Sequence, residues 1–249
     1  MAYDEDNKPY PERSTLGQKA GIICGIIFGT IFGILPYKEE EGDLVENVLQ
    51  SGNNLQGAGY CLYSSSTIFI FSIKSINNGT VHSFTLDPSL GEFVLTTTDL
   101  KMPEYNSNDK SSSTNVYSCN EANSIGWDKD VQDYLYALKS GKNKSNRRYA
   151  LRYIGSMVAD IHRTIVYGGI FMYPKDTISN PRGNIQLLYK SMPLGYIVEK
   201  AGGVCTNGEV RLMDVEPGSI HQRCPCFMGG RLDMEELCGH IKHSDNVVL

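Results

Sequence analysis

Basic residues are too few here for a nucleic-acid binder. The 249 residues carry 23 Lys and Arg against 28 Asp and Glu, for a net charge of -5 and a pI of about 5.6. Proteins that hold nucleic acid usually show a basic face, so that class is excluded, although a local basic pocket for an anionic metabolite is not. A Cys-x-x-Cys pair is also lacking. The seven cysteines are irregularly spaced, and Cys224-Pro225-Cys226 stands alone, whereas a zinc site wants four ligands at recognisable spacing. An odd count with no framework reads as reduced thiols in a cytosol-like compartment. Residues 1–19 are expected to make a poor secretory leader and a poor transit peptide: they mix four acidic with three basic side chains, without the positive n-region of the one or the acid-poor composition of the other. No internal repeat is visible.

Long hydrophobic runs are scarce too, and one run falls at the lower limit of a membrane span. Residues 20–37, AGIICGIIFGTIFGILPY, hold 18 residues without a charge, and Gly21, Gly25, Gly29 and Gly33 fall four apart. That spacing lets membrane helices pack closely. Yet the run barely reaches the ~20 residues a spanning helix needs, and each glycine weakens a helix by up to ~1 kcal/mol. Its isoleucines and phenylalanines favour a strand. The pattern by itself leaves both forms open.

What is present is the composition of a soluble globular protein, 41% hydrophobic and 20% charged. The stretches 60–73, 80–86 and 92–98 are β-branched and aromatic, with turns at 77–79 and at DPSLG (87–91), so the first part is strand-rich. Polar loops follow at 104–114 and 139–148. Beyond the first loop the periods alternate. WDKDVQDYLYAL (127–138) sets Trp127, Val131, Leu135 and Leu138 on one helical face. A second helix is expected over 156–169, capped by Ser156, and others over 192–203 and 231–243, with buried strands at 168–174 and 185–189. Strands alternating with helices predict an α/β second half.

Several motifs stand in one order along the chain: GTIFGI (29–34), AGYCLYSSST (58–67), FTLDPSLGEFVLT (84–96), CNEAN (119–123), RYIGSMVADIHRT (152–164), VYGGIFMYP (166–174), VEKAGG (198–203) and IHQRCPCFMGG (220–230). Together they resemble the class of fructose-1,6-bisphosphatases. The resemblance implies a layered α-β-α-β-α sugar-phosphatase fold, and it makes 29–34 a sheet strand rather than an anchor. It also implies a domain plan. A divergent tail covers 1–19, the remnant of an N-terminal sheet domain 20–113, and a sugar-bisphosphate-binding α/β domain 114–249. The family's first helices have no counterpart, so the first domain is expected to be incomplete, with an exposed strand edge and apolar surface.

The same resemblance implies Mg²⁺-dependent hydrolysis of fructose 1,6-bisphosphate to fructose 6-phosphate and phosphate, a step of carbohydrate metabolism in gluconeogenesis. Clustered Mg²⁺ neutralises the phosphate, activates water and stabilises the leaving alkoxide. A separate patch holds the distant 6-phosphate. Asn120, Arg152, Tyr153 and Tyr173 match residues that contact the 6-phosphate, with Arg152 reaching into a neighbouring subunit's site. Gly155, Ser156 and Met157 match the segment that touches the sugar. Arg147, Arg148, Arg152 and Arg163, taken alone, read as a solvated basic cluster.

Departures are just as specific. Asn184 stands where the family has a substrate-contacting lysine, with Arg182 two residues away as a partial substitute. Asn123 stands where it has a tyrosine. The aspartate-rich metal motif aligns with STLGQKA (14–20), which puts Ser14 and Gly17 in place of two aspartates, and Lys190 replaces a metal-binding glutamate. Asp87 belongs to a separate motif and is expected to cap a turn. The implied metal set is thus lost: no catalytic or metal-ligating residue is assigned, and Mg²⁺ is not expected to bind in the family manner. The chain reads as a truncated or divergent member that is inactive or strongly impaired. A non-catalytic sugar-phosphate-binding paralogue or hetero-oligomer subunit, and a sedoheptulose-1,7-bisphosphatase-like enzyme, stay open. Expected partners are a sugar phosphate and further subunits in the family manner, with no nucleic acid and no membrane. The expected compartment is the cytoplasm, or a plastid if a longer precursor exists.

Overall fold

The computed structural model describes residues 25–26, 29–37, 44–104 and 113–241. Ser14 and Gly17 lie outside them. The chain opens with strands β1 (Gly25–Ile26) and β2 (Gly29–Ile34), then a one-turn helix α1 (Leu44–Val48). Strands β3 (Gly57–Tyr63), β4 (Thr67–Ile73), β5 (His82–Asp87) and β6 (Glu92–Thr97) follow. These six strands form one antiparallel sheet in sequence order. The glycine-rich run at 29–34 is therefore a strand, paired along its length with β3 from Gly29↔Leu62 to Ile34↔Gly57. No helix among the described residues is long and apolar enough to cross a membrane. Two details differ from the sequence expectation. The stretch 60–73 is two strands rather than one, because Ser64, Ser65 and Ser66 turn the chain back, with Ser64 N–H donating to the Ser66 carbonyl at 3.2 Å. Strand β2 also buries fully only Gly29 and Ile31, so it is half-buried rather than sunk in the core.

The second half contributes β7 (Val116–Ser118), α2 (Lys129–Ser140), β8 (Ala150–Leu151), α3 (Met157–Tyr167) and β9 (Ile170–Tyr173). Next come β10 (Ile185–Gln186), α4 (Met192–Lys200), β11 (Val204–Thr206), β12 (Arg223–Cys224), β13 (Cys226–Gly229) and α5 (Arg231–His240). Five of these strands form a mixed sheet in the order β11-β13-β9-β7-β8, in which β8, β7 and β9 run parallel. The expected strand at 185–189 is cut short. After Gln186 the backbone closes a wide π-type turn, Leu187–Ser191, that runs directly into α4. Leu187 and Leu188 are buried by this turn rather than by a ladder, so their apolar run does not distinguish strand from helix.

Helices α3 and α4 lie between the two sheets. One core joins Ile31, Ala58, Tyr60 and Ile70 of the first sheet to Val158, Ile161 and Ile165 of α3, to Leu194 and Ile197 of α4, and to Phe171 and Met228 of the second sheet. The far face of the second sheet is covered by α2 and α5, where Trp127, Val131, Leu135 and Leu138 pack with Met234 and Leu237 as the helical period predicted. The described layers are therefore sheet, helix, sheet, helix. The outer helix layer that would complete a five-layer α-β-α-β-α stack is not among the described residues. The corresponding face of the first sheet carries Phe32, Phe69, Phe71, Phe84 and Phe93, whose rings meet at 5.4–6.3 Å between neighbours. Every residue of the edge strand β6 is exposed. Asp87 does hold its turn: its Oδ1 accepts from Ser89 N–H at 2.8 Å and from Ser89 Oγ at 2.6 Å. All six cysteines in the described residues are free thiols.

Candidate functional site

Parallel strands place the residues that follow them at one edge. Ligands in α/β proteins settle outside the carboxyl ends of such strands, because loops and helix starts converge there. In this chain β8 delivers Arg152 and Tyr153 to that edge, β7 delivers Asn120, and β9 ends on Tyr173. The Arg152 N–H donates to the Tyr117 carbonyl at 2.9 Å, which fixes the point at which the chain leaves the sheet. Strand β13 runs antiparallel beside β9 with Cys226 opposite Tyr173, so the residues just before it, including Arg223, arrive at the same edge.

The loop from Arg152 to Ser156 is held from below by a carboxylate. Asp160 is fully buried on the first turn of α3. It accepts from the backbone N–H of Ile154 at 3.0 Å and of Gly155 at 3.1 Å, from Ser118 Oγ at 2.7 Å, and from Arg163 Nη2 at 2.8 Å. Arg163 Nη2 also donates to the Arg152 carbonyl. Ser156 occupies the N-cap position, but its side chain makes no capping bond. Asp160, one turn on, takes the loop amides instead. Arg163 is likewise not a solvated member of a basic cluster, since its side chain is mostly buried on Asp160. Neither Asp160 nor Ser118 stood out in the sequence. The two lie 42 residues apart, so no local spacing marks a pair that closes across the fold.

The side chains at this edge differ in exposure. Arg152 and Gly155 are exposed, Ser156 is buried, and Asn120, Tyr153, Met157 and Tyr173 are half-buried. Burial first, and then the neighbouring Tyr173, Asp160 and Cys119, push the Tyr153 phenol above its ordinary value. It is therefore a neutral donor at any working pH. Arg152 Nη1 donates to the carbonyl of Leu151 at 2.8 Å. Asn120 caps a six-residue 3₁₀ segment, Glu121–Gly126, whose first turn brings Asn123 back to it, with Asn123 N–H on the Asn120 carbonyl at 3.1 Å.

Asn184 comes to the same group. Its Nδ2 lies 3.4 Å from Tyr173 Oη, and Arg223 Nη1 donates both to its side-chain oxygen and, at 3.0 Å, to its backbone carbonyl. Gly183 makes this approach geometrically possible. Its φ is +83°, and a Cβ there would sit 2.2 Å from the Cys224 carbonyl carbon. Arg182 is exposed and makes no bond to Asn184, so the cation beside Asn184 is Arg223 rather than Arg182. Lys190 lies half-buried in the π-type turn, away from β9 in sequence and on a different element. Among the described residues no group of three or more His, Cys, Asp or Glu side chains is placed to hold a metal ion.

The thiols near the edge are passive. Burial, with Glu121 adding to it, pushes Cys119 up to about 12, and burial pushes Cys224 up to about 11. Reactive cysteines need the opposite shift. The groups brought to this edge are an arginine, two half-buried tyrosines and side-chain amides, beside the start of α3.

Two family models match the chain: Fructose-1-6-bisphosphatase, N-terminal domain over residues 17–98, and Fructose-1-6-bisphosphatase, C-terminal domain over residues 111–242. Among curated proteins it is similar to "Fructose-1,6-bisphosphatase, cytosolic" of Oryza sativa subsp. indica, 44% identical over 224 residues that cover 90% of this chain and 62% of that protein. The protein of the same name from Brassica napus is 43% identical over 223 residues, covering 89% and 61%. That of Beta vulgaris is 44% identical over 218 residues, covering 88% and 60%. The chain thus spans about 60% of the length of the relatives it matches.

Proposed function

The chain belongs to the fructose-1,6-bisphosphatase family, and from that premise we propose that it binds fructose 1,6-bisphosphate by the 6-phosphate while its hydrolysis of the 1-phosphate is lost or strongly impaired. One observation carries the binding half. Asn120, Tyr153 and Tyr173, which the resemblance matches to contacts of one phosphate, follow or end three different parallel strands at the same edge. Gly155, Ser156 and Met157 then start α3 beside them, where a sugar ring would follow the phosphate. Arg152 is exposed, which suits service to the site of a second copy.

The catalytic half has no comparable support. The family implies Mg²⁺, which takes hard oxygen ligands in near-octahedral array. The described residues offer no such cluster, and Lys190 puts a cation where a cation would bind. Of the positions that the resemblance aligns with metal ligands, Lys190 does not suit the ion, and 14 and 17 lie outside the described residues. Lys190, Asn184 and Asn123 together favour a second reading close to the first, a sugar-phosphate-binding subunit of a hetero-oligomer. The domain division at 113/114, with the second unit carrying the sugar-phosphate site, and a cytoplasmic location belong to the same proposal.

The test is phosphate release from fructose 1,6-bisphosphate by the purified chain with millimolar Mg²⁺, beside an intact family enzyme, together with calorimetric titration of the sugar phosphate. The expected result is measurable binding with no release above blank. Turnover within a few decades of the intact enzyme would overturn the claim of impairment. Absence of binding would overturn the phosphate cradle.

A further inference from the structure

Arg223 sits on a two-stranded ladder with β10, its Cα opposite Gln186. It is exposed, and both of its hydrogen bonds leave from Nη1, to the backbone and side-chain oxygens of Asn184. An arginine has only donors. The oxygen of the Asn184 amide is therefore fixed toward Arg223, and its NH₂ group is turned to Tyr173 Oη, 3.4 Å away. Tyr173 Oη, accepting from Asn184, keeps its own proton for an outside acceptor. Nε and Nη2 of Arg223 have no partner among the described residues. The result is a directed row of donors, guanidinium to amide to phenol, that ends at the edge where Tyr153 stands.

From this geometry we infer that Arg223 is the cation of the phosphate cradle, holding the anion through Nε and Nη2 and orienting Asn184 and Tyr173 toward it. The inference rests on the sugar-phosphate reading above and adds a residue that reading did not use. An anion lying on the Asn184–Tyr173 row meets no carboxylate on β10, β12 or β9, and the planar guanidinium matches two phosphate oxygens at once. Asn184 by itself offers a dipole and no charge. Arg223 supplies the charge from the neighbouring strand.

The experiment titrates fructose 6-phosphate into the full chain and three variants by calorimetry, with thermal melts of each. Arg223→Ala is expected to weaken binding by on the order of 10- to 100-fold, the range for a lost charged hydrogen-bond pair, with an unchanged melt because the side chain is exposed. Asn184→Lys in the Arg223→Ala background restores a cation at the same place and is expected to recover most of the affinity. Arg223→Lys should fall between, since it keeps charge and loses the fork. If the parent chain binds and Arg223→Ala binds equally well, Arg223 is not the cation and the inference fails while the site reading stands. Weaker binding with a lowered melt and no recovery by Asn184→Lys assigns Arg223 a packing role and also overturns it. If the parent chain itself does not bind, the site reading fails and takes the inference with it.

Discussion

Asp160 accepts a 2.7 Å hydrogen bond from Ser118 Oγ, although 42 residues separate them in sequence. The bond joins the start of α3 to the end of β7, and the same carboxylate takes the amides of Ile154 and Gly155. The loop that carries Arg152 and Tyr153 is thereby tied to the strand that carries Asn120. Two halves of the candidate cradle share one buried anion, which Arg163 neutralises at 2.8 Å.

Asp160→Ala should therefore destabilise the fold by roughly 3–5 kcal/mol, the cost of removing one partner from a buried charge pair. Urea denaturation measures it. Asp160→Asn keeps the shape and some acceptor capacity, so it should cost less and leave a folded chain. That variant should still lose affinity for fructose 6-phosphate, because its amide cannot accept from Ser118, two backbone N–H groups and Arg163 together. Unchanged affinity in folded Asp160→Asn would show that the loop is held by other means.

His162 and Tyr60 form a second long-range pair, ring nitrogen Nδ1 to phenol oxygen at 3.0 Å, under the first sheet. Burial lowers the His162 pKa below its ordinary 6.5. The unfolded chain then binds a proton that the folded chain refuses, and stability rises with pH wherever the unfolded state binds more protons. His162 thus contributes fully above about pH 6.5 and its contribution is lost as pH falls below that value. Melting temperature should drop from pH 7 to pH 5.5, and His162→Gln should flatten that part of the curve. A wild-type drop that persists undiminished in the variant would assign it elsewhere.

Asp233 titrates with the opposite sign. It is buried at the start of α5, and burial raises its carboxyl to about 6, against the Tyr149 hydroxyl that donates to it at 2.6 Å. The folded state holds a proton between the ordinary 3.8 and about 6 that the unfolded state has released. Its stabilising contribution is present below the lower value and is lost as pH rises through the upper one. Relative to Asp233→Asn, which cannot ionise, the wild type should lose roughly 3 kcal/mol between pH 3.5 and pH 7, at ~1.4 kcal/mol for each tenfold change in proton affinity. Parallel stability curves for the two proteins would refute the buried carboxyl.

The exposed edge strand predicts a solubility phenotype. Phe93 and Leu95 are 43% and 48% exposed on β6, whose outer backbone has no partner among the described residues. Such an edge templates pairing with other chains, and natural proteins blunt it with charge. Leu95→Lys should reduce concentration-dependent light scattering while changing stability by no more than about 0.5 kcal/mol, as for most exposed substitutions. Scattering that does not fall would place the association surface elsewhere.

The sequence by itself determined the local pieces. The period of 127–138 gave the face that buries Trp127, Val131, Leu135 and Leu138, and turn residues such as Asp87 marked the hairpins. Those patterns are readable because helix and strand periods depend on neighbours a few residues apart. The ordered motifs gave the family. Tertiary structure decided the rest. Whether 29–34 was a strand depended on β3 as a partner, and the apolar run after Gln186 became a π-type turn because α4 packs directly beyond it. The resemblance grouped the candidate cradle residues around one phosphate, but the residues that hold them in place were not legible. Asp160 and Arg223 act on residues that other elements deliver to them, and a hydrogen bond across 42 or 39 positions has no signature in either segment alone.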